Sequence, residues 1–279
     1  CSVIPVIFFN TGVPGAIIGL TLASFGSFLV GMRLLTLPFK DVTRRKTDLT
    51  TADILRFSMP VFSSSLYGFV IGSASQFFVS RYLGVENFAM FANGYRELPI
   101  AGIVIGAVAG ILLPEFSRMT KGGSDSKQYL VLWKNVVLKS AAVIYPFSLY
   151  CCIFAPEIMG VLYGTVYREA ADLFRIVTII NLVRIVPYGP IMFALGKGKI
   201  FAKAHLVTAL LLLGLDFLCV TFFPSLSAIA IIATTTTVFC LVVLMVSTAR
   251  LLNTGLSRLM PWKSMFKILS VSTFSCFLG

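Results

Sequence analysis

Charge is scarce in this sequence. Asp, Glu, Lys and Arg supply 12% of its 279 residues, where a soluble domain carries about 25%. With 57% hydrophobic residues, that scarcity excludes an ordinary water-soluble domain. Acid is scarcer still, with 11 Asp and Glu against 23 Lys and Arg. There is one His, and no HExxH, no GxxxxGK[ST], no GxSxG and no paired-carboxylate motif in a loop. These absences speak against hydrolytic chemistry and against nucleotide hydrolysis. The sequence predicts no enzyme, no catalytic residue, no metal site and no cofactor. Any transport would run on an ion gradient, membrane potential or downhill flow. None of the six Cys has metal-ligand spacing, and Cys151-Cys152 is not a CxxC. They read as free thiols, small hydrophobes in apolar surroundings. Ten-residue alternating segments are missing too, which excludes a transmembrane barrel. A basic n-region and a small-residue cleavage site are also missing. The chain starts at Cys1 and stops at "ILSVSTFSCFLG", both inside apolar runs. It therefore reads as a piece of a longer protein.

What is present is a series of apolar runs. A helix needs about 20 mostly apolar residues to span a bilayer. By that measure spans fall at about 13–36, 54–80, 88–113, 130–155, 170–194, 203–223 and 227–249, with another starting near 265. "NTGVPG" (10–15) reads as a turn. The fold class is all-α, a polytopic transmembrane helical bundle of about seven or eight spans. The net charge of +12 then has a simple source. Alternate loops, 37–53, 114–129, 195–203 and 249–267, hold four, three, three and four Lys or Arg. The opposite loops, 81–87, 156–169 and 224–226, hold only Arg81 and Arg168. The positive-inside rule places the basic loops in the cytoplasm. Nucleic acid is not a partner, because the charge is spread over four short loops instead of one patch.

The stretch "FRIVTIINLVRIVPYGPIMFALGKGK" (174–199) carries Arg184 in mid-span, followed by Pro187, Gly189 and Pro190. At about 100° per residue, Asn181, Arg184 and Tyr188 fall on one arc of a helix. A charge at the bilayer centre costs at least about 2.5–3.5 kcal/mol, so it turns to the bundle interior or a watery cavity. Two readings stand for Arg184. It is either satisfied by neighbouring carbonyls, or it meets an anionic substrate in a cavity. The next span holds one acid, Asp216, at similar depth. It either pairs with Arg184 or stands in the cavity alone. Arg96, with Glu97 beside it, lies in the outer half of its span. The substrate-cavity candidates are thus Arg184, Asn181, Tyr188, Asp216 and Arg96. Gly102, Gly106 and Gly110 repeat at GxxxG spacing and predict close helix packing. The hydroxyls of "ATTTTVF" (233–239) predict helix–helix packing as well.

Four stretches in order carry a family resemblance. "ILRFSMPVFSSSLYGFVIGSASQFFVSRYLGVENFAMFANGYRELPI" (54–100) resembles the start of the second half of Wzx-type polysaccharide flippases. "GILLPEFSRM" (110–119), "FAPEIMGVLYGTVYREAADLFRIV" (154–177) and "FALGKGK" (193–199) are similar to later segments of that family. It belongs to the multidrug/oligosaccharidyl-lipid/polysaccharide exporter superfamily. The resemblance implies a fragment of a MATE-like fold, with two six-helix lobes around a central cavity. Residues 1–36 would end the first lobe, 37–53 would be the cytoplasmic inter-lobe loop, and 54–279 the second lobe with its last span truncated. It implies a flippase of the bacterial inner membrane. Its substrate would be a lipid-linked oligosaccharide of polyprenyl pyrophosphate type, moved by alternating access during cell-surface polysaccharide (O-antigen) biosynthesis. The partners implied are that lipid, the bilayer and other polysaccharide-assembly proteins. A cation-coupled multidrug exporter of the same superfamily is the alternative. A membrane glycan polymerase would need a large external loop, and 156–169 is short.

Overall fold

The structure is a computed structural model, and it describes residues 12–37, 50–97 and 99–278. Among these every regular element is a helix. The chain divides into two units, Cys1–Thr51 and Ala52–Gly279. Most of the basic segment 37–53 lies outside the described residues.

The first unit holds α1 (Gly12–Thr36). Of the turn expected over 10–15, residues 12–15 are helical instead, and 10–11 lie outside the described residues. Pro14 sits in its first turn, where a missing N–H costs no hydrogen bond. α1 is apolar, with Ile17, Leu22, Phe25 and Leu35 among its exposed side chains. Two of its hydroxyls bond its own turns: Thr21 Oγ1 donates to the Ile17 carbonyl and Ser24 Oγ to the Leu20 carbonyl, both at 2.8 Å.

The second unit holds α2 (Thr51–Tyr82), α3 (Val85–Gly94), α4 (Pro99–Lys121), α5 (Ser126–Ile153) and α6 (Ala155–Tyr163). α7 (Ala171–Thr178), α8 (Gly189–Ala194), α9 (Gly198–Phe222) and α10 (Leu226–Leu251) follow, then the short α11 (Leu256–Leu259) and α12 (Trp262–Leu278). Two 3-10 turns, Thr165–Ala170 and Ile179–Leu182, flank α7. Six helices among the described residues are long and apolar enough to cross a membrane: α1, α2, α4, α5, α9 and α10. Two predicted spans differ in form. Residues 88–113 are divided between α3, which ends at Gly94, and α4, which starts at Pro99. Residues 170–194 are broken between Leu182 and Gly189.

α5 runs through the core of this unit. Trp133, Val137, Ala141, Ile144 and Ser148 recur every three or four residues, and all are buried. α12 packs on α5, α9 on α10, α8 on α4 and α7 on α10. In lipid such contacts rest on close van der Waals fit more than on the hydrophobic effect. Gly94 shows how close the fit is. A Cβ there would stand 2.8 Å from Ala170 Cβ. The stripe Gly102, Gly106 and Gly110 does not behave as expected, because no described atom lies within 4 Å of where their Cβ atoms would be. That face of α4 is exposed in this chain. Large apolar side chains such as Phe69, Ile111 and Phe222 are likewise exposed, as lipid-facing positions are. Cys151, Cys152, Cys219 and Cys240 are free. The side chains of Cys1 and Cys276 lie outside the described residues.

Candidate functional site

The break in the fifth predicted span sets the geometry of the site. α7 tightens into a 3-10 turn at Ile179–Leu182, and the helix then stops. Pro187 has no N–H for the Val183 carbonyl, and Pro190 has none for Val186. Backbone groups freed inside a membrane need a partner from the protein. Tyr145 of α5 supplies one, its hydroxyl donating to the Leu182 carbonyl at 3.1 Å. Arg184 lies in this irregular segment, held by its own N–H on the Ile180 carbonyl at 2.8 Å.

The guanidinium of Arg184 forms a salt bridge with Glu97. Glu97 lies in the second break, between α3 and α4. The two breaks therefore face each other, and each brings one charge. Asn181 Oδ1 lies 3.5 Å from the same guanidinium. Arg184 Nε has no partner. Around the pair is a cavity of about 370 Å³. Ser75 and Gln76 of α2, Tyr95, Arg96 and Glu97 of the α3–α4 break, Arg184, and Thr237 of α10 supply its polar lining. Gly68, Ile71, Val177 and Ile180 supply apolar wall. Tyr95 is fixed by Thr234 of α10, with oxygens 3.1 Å apart. Thr236 and Thr237 bond carbonyls of their own helix at 2.6 and 2.8 Å.

Asp216 does not pair with Arg184. It is fully buried in α9 and accepts a hydrogen bond from Ser75 Oγ at 2.7 Å. Its other oxygen, Oδ1, has no partner. Ser75 also lines the cavity, so Asp216 lies one residue behind the cavity wall. Tyr188 leaves the arc predicted for it. The helix breaks between Leu182 and Gly189, so the arc does not carry on to Tyr188, four residues after Arg184 and seven after Asn181. It is buried against Trp133 with ring centroids 5.4 Å apart, and its hydroxyl has no partner. The structure thus brings Arg184, Asn181 and Arg96 to one place, sets Asp216 behind its wall, and puts Tyr188 elsewhere. Glu97, Ser75 and Tyr95 line the same cavity and are not among the candidates from the sequence. Glu97 carried a signal, as one of few acids and close ahead of Pro99 in an apolar run. Ser75 and Tyr95 carried none that separates them from packing residues.

The arrangement can hold a polar or anionic ligand by its chemistry. It offers two cations, one carboxylate and several hydroxyl and amide groups, without a nucleophile–base pair. Among the described residues no group of His, Cys, Asp and Glu has the arrangement to hold a metal ion.

A family model described as "Polysaccharide biosynthesis protein" matches residues 2–172. The succinoglycan biosynthesis transport protein ExoT of Rhizobium meliloti is 27% identical over 117 residues, which is 41% of this chain. The match spans 23% of that relative's own length. No solved structure matches.

Proposed function

The chain belongs to the polysaccharide biosynthesis protein family, and from that premise we propose that this multi-pass membrane protein serves to export a lipid-linked oligosaccharide. The observation that carries the reading is the pairing of two helix breaks that place Arg184, Arg96 and Glu97 around one cavity in an otherwise apolar bundle. Polar groups at such depth are costly and mark substrate paths. Broken helices beside a cavity are the usual site of binding in transporters.

In this reading the pyrophosphate of a polyprenyl-linked glycan meets Arg184 and Arg96. Before substrate arrives, Glu97 balances the Arg184 charge. A pyrophosphate offers more acceptor oxygens than one carboxylate and takes over the guanidinium by paired hydrogen bonds. Ser75, Gln76 and Thr237 are placed to bond sugar hydroxyls. The prenyl tail stays in lipid while the head group crosses by alternating access. The basic loops 37–53, 114–129, 195–203 and 249–267 face the cytoplasm of a bacterial inner membrane, as their cation excess indicates. Other polysaccharide-assembly proteins would supply the substrate and take the product.

The test is complementation of cells that lack the gene. Full-length protein with Arg184→Ala should insert at the normal level and leave cells without surface glycan. Normal surface glycan with that variant would remove Arg184 from the transport path.

A further inference from the structure

A second recess lies nearer the start of α2 than the central cavity, lined by α2 residues between 55 and 67 where the cavity takes residues between 68 and 76. Between the first turns of α2 and α9 is a groove of about 470 Å³. Arg56, Lys199 and Lys203 rim it, and Leu55, Met59 and Leu206 give it an apolar floor. All three cations are exposed. Among the described residues none of the three side chains makes a hydrogen bond or an ion pair, and no acid lines the groove. Its depth is matched on both walls. Arg56 lies five residues into α2 and Lys203 five residues into α9, about 8 Å from each helix start at 1.5 Å per residue. Lys199 and Lys203 are one turn apart and so share a face. Pro60 of the groove lining comes close to the start of α9. A Cβ on Gly198 would stand 3.2 Å from Pro60 Cβ. On the far side of that contact a smaller recess of about 280 Å³ shares Arg56 and Lys199 but contains Asp53. The negative charge of Asp53 makes that side the poorer place for an anion.

We propose that the groove between α2 and α9 holds an anionic phospholipid of the cytoplasmic leaflet. The lipid phosphate lies among Arg56, Lys199 and Lys203, and an acyl chain runs along Leu55, Met59 and Leu206. Charge complementarity chooses this occupant. A zwitterionic headgroup brings its own cation into a rim of three, whereas a phosphatidylglycerol headgroup does not. Basic pockets between helices on the cytoplasmic side are where acidic lipid headgroups bind. An acyl chain also covers apolar side chains with matter as apolar as they are, while a soluble anion would leave them bare. The inference rests on the orientation proposed above, which sets this end of the bundle at the cytoplasmic leaflet. It does not depend on what the central cavity carries.

Native mass spectrometry of the full-length protein tests it, on protein released from bilayers of equal phosphatidylglycerol and phosphatidylethanolamine. The wild-type protein should retain phosphatidylglycerol in preference. Each of Arg56→Gln, Lys199→Gln and Lys203→Gln should weaken that retention roughly fivefold, as one basic residue near an acidic lipid is worth. The triple variant should weaken it on the order of a hundredfold. Ser63→Phe, which narrows the apolar floor and leaves every charge in place, should also lower it. Lys263→Gln with Lys267→Gln, at the same end of the molecule but outside the groove, should change nothing. The inference is overturned by unchanged retention in the triple variant, by equal loss in the Lys263/Lys267 control, or by a prenyl phosphate as the retained species. Bound lipid is the readout, so failure here leaves the export reading standing.

Discussion

Arg184 and Glu97 are 87 residues apart in sequence and meet because each lies where a helix stops. Removing one member of a mostly enclosed pair leaves a charge without compensation, which costs up to about 3–5 kcal/mol. Glu97→Leu or Arg184→Leu alone should therefore lower the thermal stability of detergent-solubilised protein. The double variant Glu97→Leu/Arg184→Leu should regain most of it, since a well-packed apolar pair is often neutral. It should still fail to export, and this separates a structural pair from a substrate site. If the double variant exports, the pair serves the fold alone. Ser75→Ala deprives buried Asp216 of its hydrogen-bond donor and should cost about 1–3 kcal/mol in the same measurement. No loss on Ser75→Ala would mean that Asp216 finds another partner. At this scale the sequence showed which residues were out of place in oil. Asn181 and Arg184 still stand together as periodicity has it, because the Arg184 N–H keeps a last helical bond to the Ile180 carbonyl. Periodicity misplaced Tyr188 because the register ends there. It could not find Glu97 as the partner, since no local rule links two separate breaks.

At the scale of elements, the apolar runs were legible and their interruptions were not. A hydropathy window records which solvent the side chains prefer. It is blind to whether the backbone ladder continues, and "VRIVPYGP" is still mostly apolar. The segment 155–194 therefore reads as a loop and one span, while the chain builds α6, α7, α8 and two 3-10 turns from it. Packing was legible only in part. The GxxxG repeat of α4 faces no described neighbour, whereas Gly94, which no motif marked, meets Ala170 closely. Two substitutions test this contrast. Gly94→Ala should cost about 1–3 kcal/mol of stability through overpacking. Gly106→Ala in this chain should be neutral or slightly stabilising, because Ala is the better helix former by about 0.5–1 kcal/mol. Equal effects of the two on the melting temperature would contradict the packing described.

For the whole molecule, the alternation of loops rich and poor in Lys and Arg was readable without any structure, because insertion charge rules act on local sequence. It makes a direct prediction in a background without the native cysteines. Val166→Cys should react with a membrane-impermeant thiol reagent in intact cells. Ser124→Cys and Lys197→Cys should react only after the membrane is opened. The reverse pattern would invert the orientation and move the lipid groove to the other leaflet. The transport reading joins these scales, because orientation sets which leaflet loads the cavity and the two breaks set what it binds. The measurement that bears on it most closely is the flipping of a labelled lipid-linked oligosaccharide in vesicles that contain the full-length protein. The wild-type protein should move the labelled glycan. Arg184→Ala should slow it by at least about tenfold, the loss of one charged hydrogen bond of about 1.5–3 kcal/mol, with the same amount of inserted protein. Equal rates for the two would contradict a substrate path through the Arg184–Glu97 cavity.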